Sequence, residues 1–386
     1  MSRSLLDVVI VYHPDDARVC QPYVDGVARA FEQTRPDADS DLPRVGDPWE
    51  RTAVCVCCSL NKLDEITQRD ETRTLFVVLI TDNATRDPDL KEILSVVADS
   101  LPAKGFGSRN ALVYSFSETA SDEVPSKLKK RQIGSIADLG ERRVAPHTLA
   151  MVALHRARKL LEPKADPIQL TLFISHAKAD GVFFAQALKS SIESIPELEC
   201  WYDAKDIENG TAWYEEIKDA ANNCVFVALR TPAYDVRKAC RLEFETALLN
   251  GVPIVVIDSL LMSPTTAPTH LPFSSMPTVR IPDGNTYRVL IAALREHMRI
   301  LLMKAIAQER SVDTIGVNYR IWPRLPCIAA FRKEDHLVSA YWLVPHSLAF
   351  QVEFSAIRDW LFSLKSQLKL EILEQFQPVP ADGSHP

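Results

Sequence analysis

The runs QLTLFIS (169–175), LECWYD (198–203), CVFVALR (224–230), PIVVIDS (253–259) and PTVRIP (277–282) decide the fold. Each is a short β-branched or aromatic segment, and the spacing predicts five strands. Between them lie helical patterns: GVFFAQALKSSIESI (181–195), TAWYEEIKDAANN (211–223), RKACRLEFETALLNG (237–251) and YRVLIAALREHMRILLMKAIA (287–307). Their apolar residues recur at three and four, as in Phe183, Ala187, Leu188 and Ile192. Strands alternating with helices make a parallel sheet covered on both faces, an α/β architecture.

The first 165 residues carry a fainter version of this rhythm. LDVVIVYHPDD (6–16) reads as strand and loop, VCQPYVDGVARAFEQT (19–34) as helix, and TAVCVCC (52–58) and TLFVVLIT (74–81) as strands. DPDLKEILSVVADS (87–100) then reads as helix and NALVYSF (110–116) as strand. VPSKLKKRQIGSIADLGERRVAP (124–146) is polar and irregular, before a closing helix at HTLAMVALHRARKLL (147–161). LFVVLITDNATRDPDLKEIL (75–94) lies beside VFVALRTPAYDVRKACRLEF (225–244) with one residue of slip, which sets Glu92 opposite Glu243. Internal duplication accounts for this, and so does the rhythm common to all doubly wound folds.

After residue 306, NYRIWPRLPCIAAF (318–331) and HLVSAYWLVPHSLAFQ (336–351) read as proline-broken strands. A helix is expected from about Glu353 to Phe376, with Phe354, Ile357, Leu361, Leu364, Leu368 and Ile372 on one stripe. The expected division is therefore an α/β unit at 1–165, a second at 166–308 and a small α+β tail at 309–386, ending in a polar, disordered PVPADGSHP.

Composition bounds the function. With 46% hydrophobic and 25% charged residues the chain has ordinary globular usage. A net charge of -7 supplies no basic field, so no nucleic-acid partner is expected. The N-terminal apolar runs are too short for a signal peptide or membrane span, so a cytoplasmic location and no membrane partner are expected. The eight cysteines suit a reducing compartment. Cys55 and Cys58 form a CxxC inside an apolar run with no second ligand pair, which favours strand cysteines over a metal site.

Doubly wound sheets bind ligands beyond the carboxyl ends of their strands. Those ends carry Ser175, His176, Lys178 and Asp180, then Asp203, Asp206, Glu208, Asn209 and Gly210, then Thr231. A polar rim of this kind is either a ligand site or a set of ordinary solvated loops.

FISHAKAD (173–180), WYDAKDIENGTAWYEEIKDAANNCVFVALRTPAY (201–234) and KACRLEFETAL (238–248) resemble, in order and spacing, three motifs of the Toll/interleukin-1 receptor (TIR) domain family. The resemblance covers about one third of the chain and implies a flavodoxin-like parallel five-stranded sheet. It implies an enzyme that cleaves NAD⁺ without a further cofactor or a metal, either a glycohydrolase or a cyclase. The family's catalytic glutamate falls on Glu243, with Glu245 its neighbour. Ser175, His176, Lys178, Asp203, Glu208, Gly210 and Trp213 would bind substrate: Lys178 at the diphosphate, Asp203 and Glu208 at ribose or the loop, Gly210 as a turn. Trp213 would stack on a base, although Ile217 one turn later equally suits a core helix. Ala239 stands where the family often has Trp. The family further implies a homo-oligomer formed through TIR contacts, an innate-immune or antiphage signalling role, and an activating ligand or protein at a terminal segment. A non-catalytic TIR scaffold is the alternative, and a nucleoside-processing transferase of related topology a third. If the first unit is a degenerate relative of the same family, Glu92 is a surface residue and that unit a sensor or assembly surface.

Overall fold

The computed structural model describes residues 4–31, 47–57, 59, 61, 73–101, 110–118, 124–129, 133–162, 170–193, 195, 198–202, 224–258, 276–281, 284–310, 318–322, 340–344, 352–363 and 369–376. The chain divides into two compact units, one formed by residues 1–40 and 49–165, the other by 41–48 and 166–386.

In the first unit the elements run β1 (Leu6–Val11), α1 (Ala17–Phe31), β2 (Thr52–Cys57), β3 (Thr74–Ile80), α2 (Pro88–Asp99), β4 (Ala111–Ser115), β5 (Gly134–Ser135) and α3 (Ala145–Leu161). The strands form one parallel sheet in the order β2-β1-β3-β4-β5. All residues of β1 and β3 are buried, as central strands covered on both faces require. α1 turns Cys20, Tyr23, Val24, Val27, Ala30 and Phe31 inward at helical spacing. α2 starts on Pro88 after Asp87, whose carboxylate accepts from the backbone N–H groups of Asp89 and Leu90.

The second unit runs β6 (Leu170–His176), α4 (Val182–Glu193), β7 (Leu198–Tyr202), β8 (Cys224–Arg230), α5 (Lys238–Leu249), β9 (Ile254–Asp258), β10 (Thr278–Arg280) and α6 (Thr286–Glu309). Its parallel sheet has the order β10-β9-β8-β6-β7. Read from the other edge, this is the order of the first sheet, strand for strand: second, first, third, fourth, fifth. The five expected strands are all present. Gly251 has φ 68°, the left-handed conformation that ends α5 before Pro253 and β9. Three further parallel strands, β11 (Asn318–Ile321), β12 (Ala340–Val344) and β13 (Lys369–Ile372), form a small sheet with α7 (Val352–Ser363) between the last two.

Four readings change. The fifth strand of the first sheet, Gly134–Ser135, falls inside the segment expected to be irregular; two small residues leave no periodic trace. The helix expected to reach Phe376 ends at Ser363, and Leu370 and Ile372 belong to a strand. Leucines spaced by four had continued the stripe, with no proline or glycine to close it. On α4 the inward residues are Ala185, Leu188 and Ile192, whereas Phe183 is 87% exposed and Ala187 also faces solvent. Finally, β3 and β8 are equally long, α2 and α5 are equally long, and seven-residue connections at 81–87 and 231–237 join them, so no slip separates the two segments. Leu242 therefore stands opposite Glu92, which is exposed, and Ile93 opposite Glu243.

Candidate functional site at the carboxyl rim of the second sheet

β6 and β8 are central neighbours, in a register that sets Ser175 beside Ala228 and His176 beside Leu229. Their ends form the rim on which α5 begins. Phe226 on β8 stacks on Phe173 (centroids 5.3 Å) and meets Phe244 of α5 edge-on (6.2 Å). Cys240, Phe244, Ala247 and Leu248 lie against the sheet, which leaves Glu243 at the border of the packed face, half-buried.

That border position brings the Glu243 carboxylate to Ser175. The Ser175 hydroxyl donates to Glu243 Oε2 at 2.5 Å, and Tyr234 Oη lies 2.9 Å from the same Ser175 Oγ. Ser175 has one proton, committed to the carboxylate, so Tyr234 donates and Ser175 accepts. Ser175 and Tyr234 are both buried (1% and 0% exposed). Burial pushes the Tyr234 phenol well above its ordinary value, and the Glu243 charge pushes the same way against the Ser175 bond, so Tyr234 stays a donor at every physiological pH. Glu245 faces solvent, which separates the two candidate glutamates by geometry.

Further bonds hold the loops around this contact. Asp180, after β6, accepts from Thr231 Oγ1 at 2.6 Å and from the Ala233 backbone N–H at 2.9 Å, tying the loop after β6 to the loop after β8. Arg230 pairs with the buried Asp235 at 3.4 Å, holding the turn that carries Tyr234. The Cys240 thiol donates to the His176 carbonyl at 3.6 Å, and burial pushes it up to about 12, so it remains protonated at neutral pH and is no nucleophile.

Of the residues named from sequence, Ser175 and Glu243 are in contact. His176 is nearly buried at the end of β6, and Lys178 is exposed in the loop beyond it. Asp203, Glu208, Gly210 and Trp213 lie outside the described residues. Ala239, at the family's Trp position, is exposed on the first turn of α5. Tyr234 was missed. Its signal was a large aromatic residue three positions after Thr231, in a loop that otherwise favours small polar side chains. Cys55 and Cys57 are buried on β2 and not in a disulfide, and Cys58 lies outside the described residues.

Fold and rim together define a doubly wound α/β domain with a serine-held carboxylate beyond its central strands. A sequence model of the TIR domain family matches residues 172–279, and this part of the chain is a TIR domain. No curated protein matches the chain. Among solved structures, similarity is found to tagatose-6-phosphate ketose/aldose isomerase from Escherichia coli, at 8% identity over 78% of this chain and 84% of that one, with a TM-score of 0.22. A hypothetical protein from Thermus thermophilus is similar at 10% identity over 80% of this chain and 84% of that one, with a TM-score of 0.24. Scores this low carry no argument about fold or function. No helix among the described residues is long and apolar enough to cross a membrane.

Proposed function

We propose that the second unit is an NAD⁺-cleaving enzyme, a glycohydrolase or cyclase, with Glu243 as its catalytic residue. The observation that carries this reading is the Glu243 carboxylate, held at the rim by a buried serine. NAD⁺ already bears a cationic leaving group, so expelling nicotinamide needs no strong acid. The C–N bond between ribose and nicotinamide breaks, and its electron pair neutralises the pyridinium. Positive charge then builds on the ribose as in other glycosyl transfers. A fixed carboxylate stabilises that charge at little reorganisation cost. Water adds to the ribose carbon and loses a proton to solvent, or a ring nitrogen of the adenine adds instead and gives a cyclic product. Lys178, His176 and the residues of 203–213 complete the substrate site in this reading, which needs no metal or additional cofactor.

Assembly through TIR contacts belongs to the same proposal. Phe183 and Val236 stand 87% and 73% exposed in the second unit, and Leu242 is exposed on α5 beside Glu243. A cytoplasmic immune effector, triggered through the first unit or the tail, is the setting this implies. The first unit is then a TIR-like copy that senses or assembles without chemistry of its own.

Purified chain offered NAD⁺ and followed by chromatography tests the proposal. Glu243→Gln is expected to reduce turnover by about 10²–10³ with an unchanged circular dichroism spectrum. Undiminished turnover moves the chemistry elsewhere. A wild-type chain that consumes no NAD⁺ at any concentration makes the domain a binding scaffold, and consumption of a deoxynucleoside in its place makes it a transferase.

A further inference from the structure

We propose that Tyr234 is the positioning residue of this site, acting through Ser175 to hold the Glu243 carboxylate; the proposal rests on the reading of Glu243 given above. The bonds run in one direction. Tyr234 donates to Ser175 at 2.9 Å, and Ser175 donates to Glu243 at 2.5 Å. Without the phenol, the Ser175 hydroxyl keeps its proton but loses the partner that fixes its rotation, and its hold on the carboxylate slackens. A donor that itself accepts a hydrogen bond is also the stronger donor, so the effect reaches the carboxylate electronically as well as sterically.

The chain contains its own control for whether these three side chains are needed by the fold. The shared strand order and the matched lengths of β3 and β8 set Thr81 where Thr231 stands, and Ala84 where Tyr234 stands. Val11 pairs with Val78 as Ser175 pairs with Ala228, so Val11 takes the place of Ser175. Ile93 takes the place of Glu243. Serine, tyrosine and glutamate are thus replaced together by Val11, Ala84 and Ile93, each no more than 1% exposed and all within one apolar cluster.

The neighbouring polar clamp, in contrast, is kept. Asp16 accepts from Thr81 Oγ1 at 2.5 Å as Asp180 does from Thr231 Oγ1, and its second donor is the Asn83 side-chain Nδ2 at 2.8 Å where Asp180 has the Ala233 backbone N–H. The fold retains the clamp in both units and carries the trio in one. The trio therefore serves the site and not the sheet, and Tyr234 belongs to it as fully as Ser175 and Glu243 do.

The test uses the full chain with Tyr234→Phe, Ser175→Ala, the double variant and Glu243→Gln, measuring kcat and KM for NAD⁺ and the thermal midpoint of each. Tyr234→Phe is expected to lower kcat about ten- to hundredfold, the range set by losing a bond that acts on a charged group, with KM within about twofold. The double variant is expected to be no slower than Ser175→Ala, because the second link is already cut. Full kcat in Tyr234→Phe, or losses that multiply in the double variant, overturns the positioning role and leaves Glu243 standing. If Glu243→Gln turns NAD⁺ over as fast as wild type, the reading of the site fails first. Should Tyr234→Phe not fold, Ser175→Ala decides the question by cutting the same chain at its next link, and an unimpaired Ser175→Ala enzyme overturns the proposal.

Discussion

Glu243 was legible at residue scale because an acid three positions after Cys240, in a helix that follows a Thr-Pro strand end, matches a spaced motif. Ser175 was legible as a strand-end hydroxyl. Tyr234 was not, since nothing in TPAY distinguishes an aromatic that caps the core from one whose hydroxyl reaches a neighbouring strand; the contact joins residues far apart in sequence. Gly181 is another residue whose meaning is spatial. A Cβ there would stand 3.0 Å from the Ala177 carbonyl oxygen, 3.1 Å from His176 Cβ and 3.2 Å from Leu229 Cδ2. The carbonyl is backbone and cannot step aside. Gly181→Ala is expected to cost about 1–3 kcal/mol, the usual range for overpacking, in a chemical melt that also reports loss of turnover. An unchanged midpoint would mean that the loop has room to relax.

Among the elements, long strands and amphipathic helices were readable and short or interrupted ones were not. β3 and β8 announce themselves by continuous apolar runs, whereas β5 is two small residues paired to the edge of β4. α2 shows how a local signal sets an element boundary. Leu90 N–H, His13 and Asp89 N–H all bond the Asp87 carboxylate and hold it below the ordinary carboxylate range. A lowered carboxylate stabilises the fold above its unfolded-chain value, and that contribution is lost as pH falls through the lower folded value. Asp87→Asn keeps a capping side chain and removes the charge. The variant should therefore lose less stability than wild type on acidification below about pH 4. Parallel acid melts of the two proteins would refute the assignment.

At the scale of the whole molecule, the repeated strand order was the least legible feature, because corresponding positions share burial and not identity. Phe76 and Phe226 are equivalent, but Leu90 corresponds to Cys240 and Leu94 to Phe244. Sequence comparison without the paired strands placed Glu92 one position out. Two expectations follow at this scale. Calorimetry of the full-length Glu243→Gln chain should count one NAD⁺ per chain, and a count of two would assign binding to the first unit as well. Specific activity should rise with protein concentration, since a site completed by a neighbour is diluted away; a flat dependence would make a single chain competent.

Asp180 reaches from the loop after β6 to Thr231 and Ala233 in the loop after β8. These bonds couple the two loops, so a displacement of one is passed to the other. Under the proposed reading, a cross-link between these two loops should therefore leave NAD⁺ turnover unchanged.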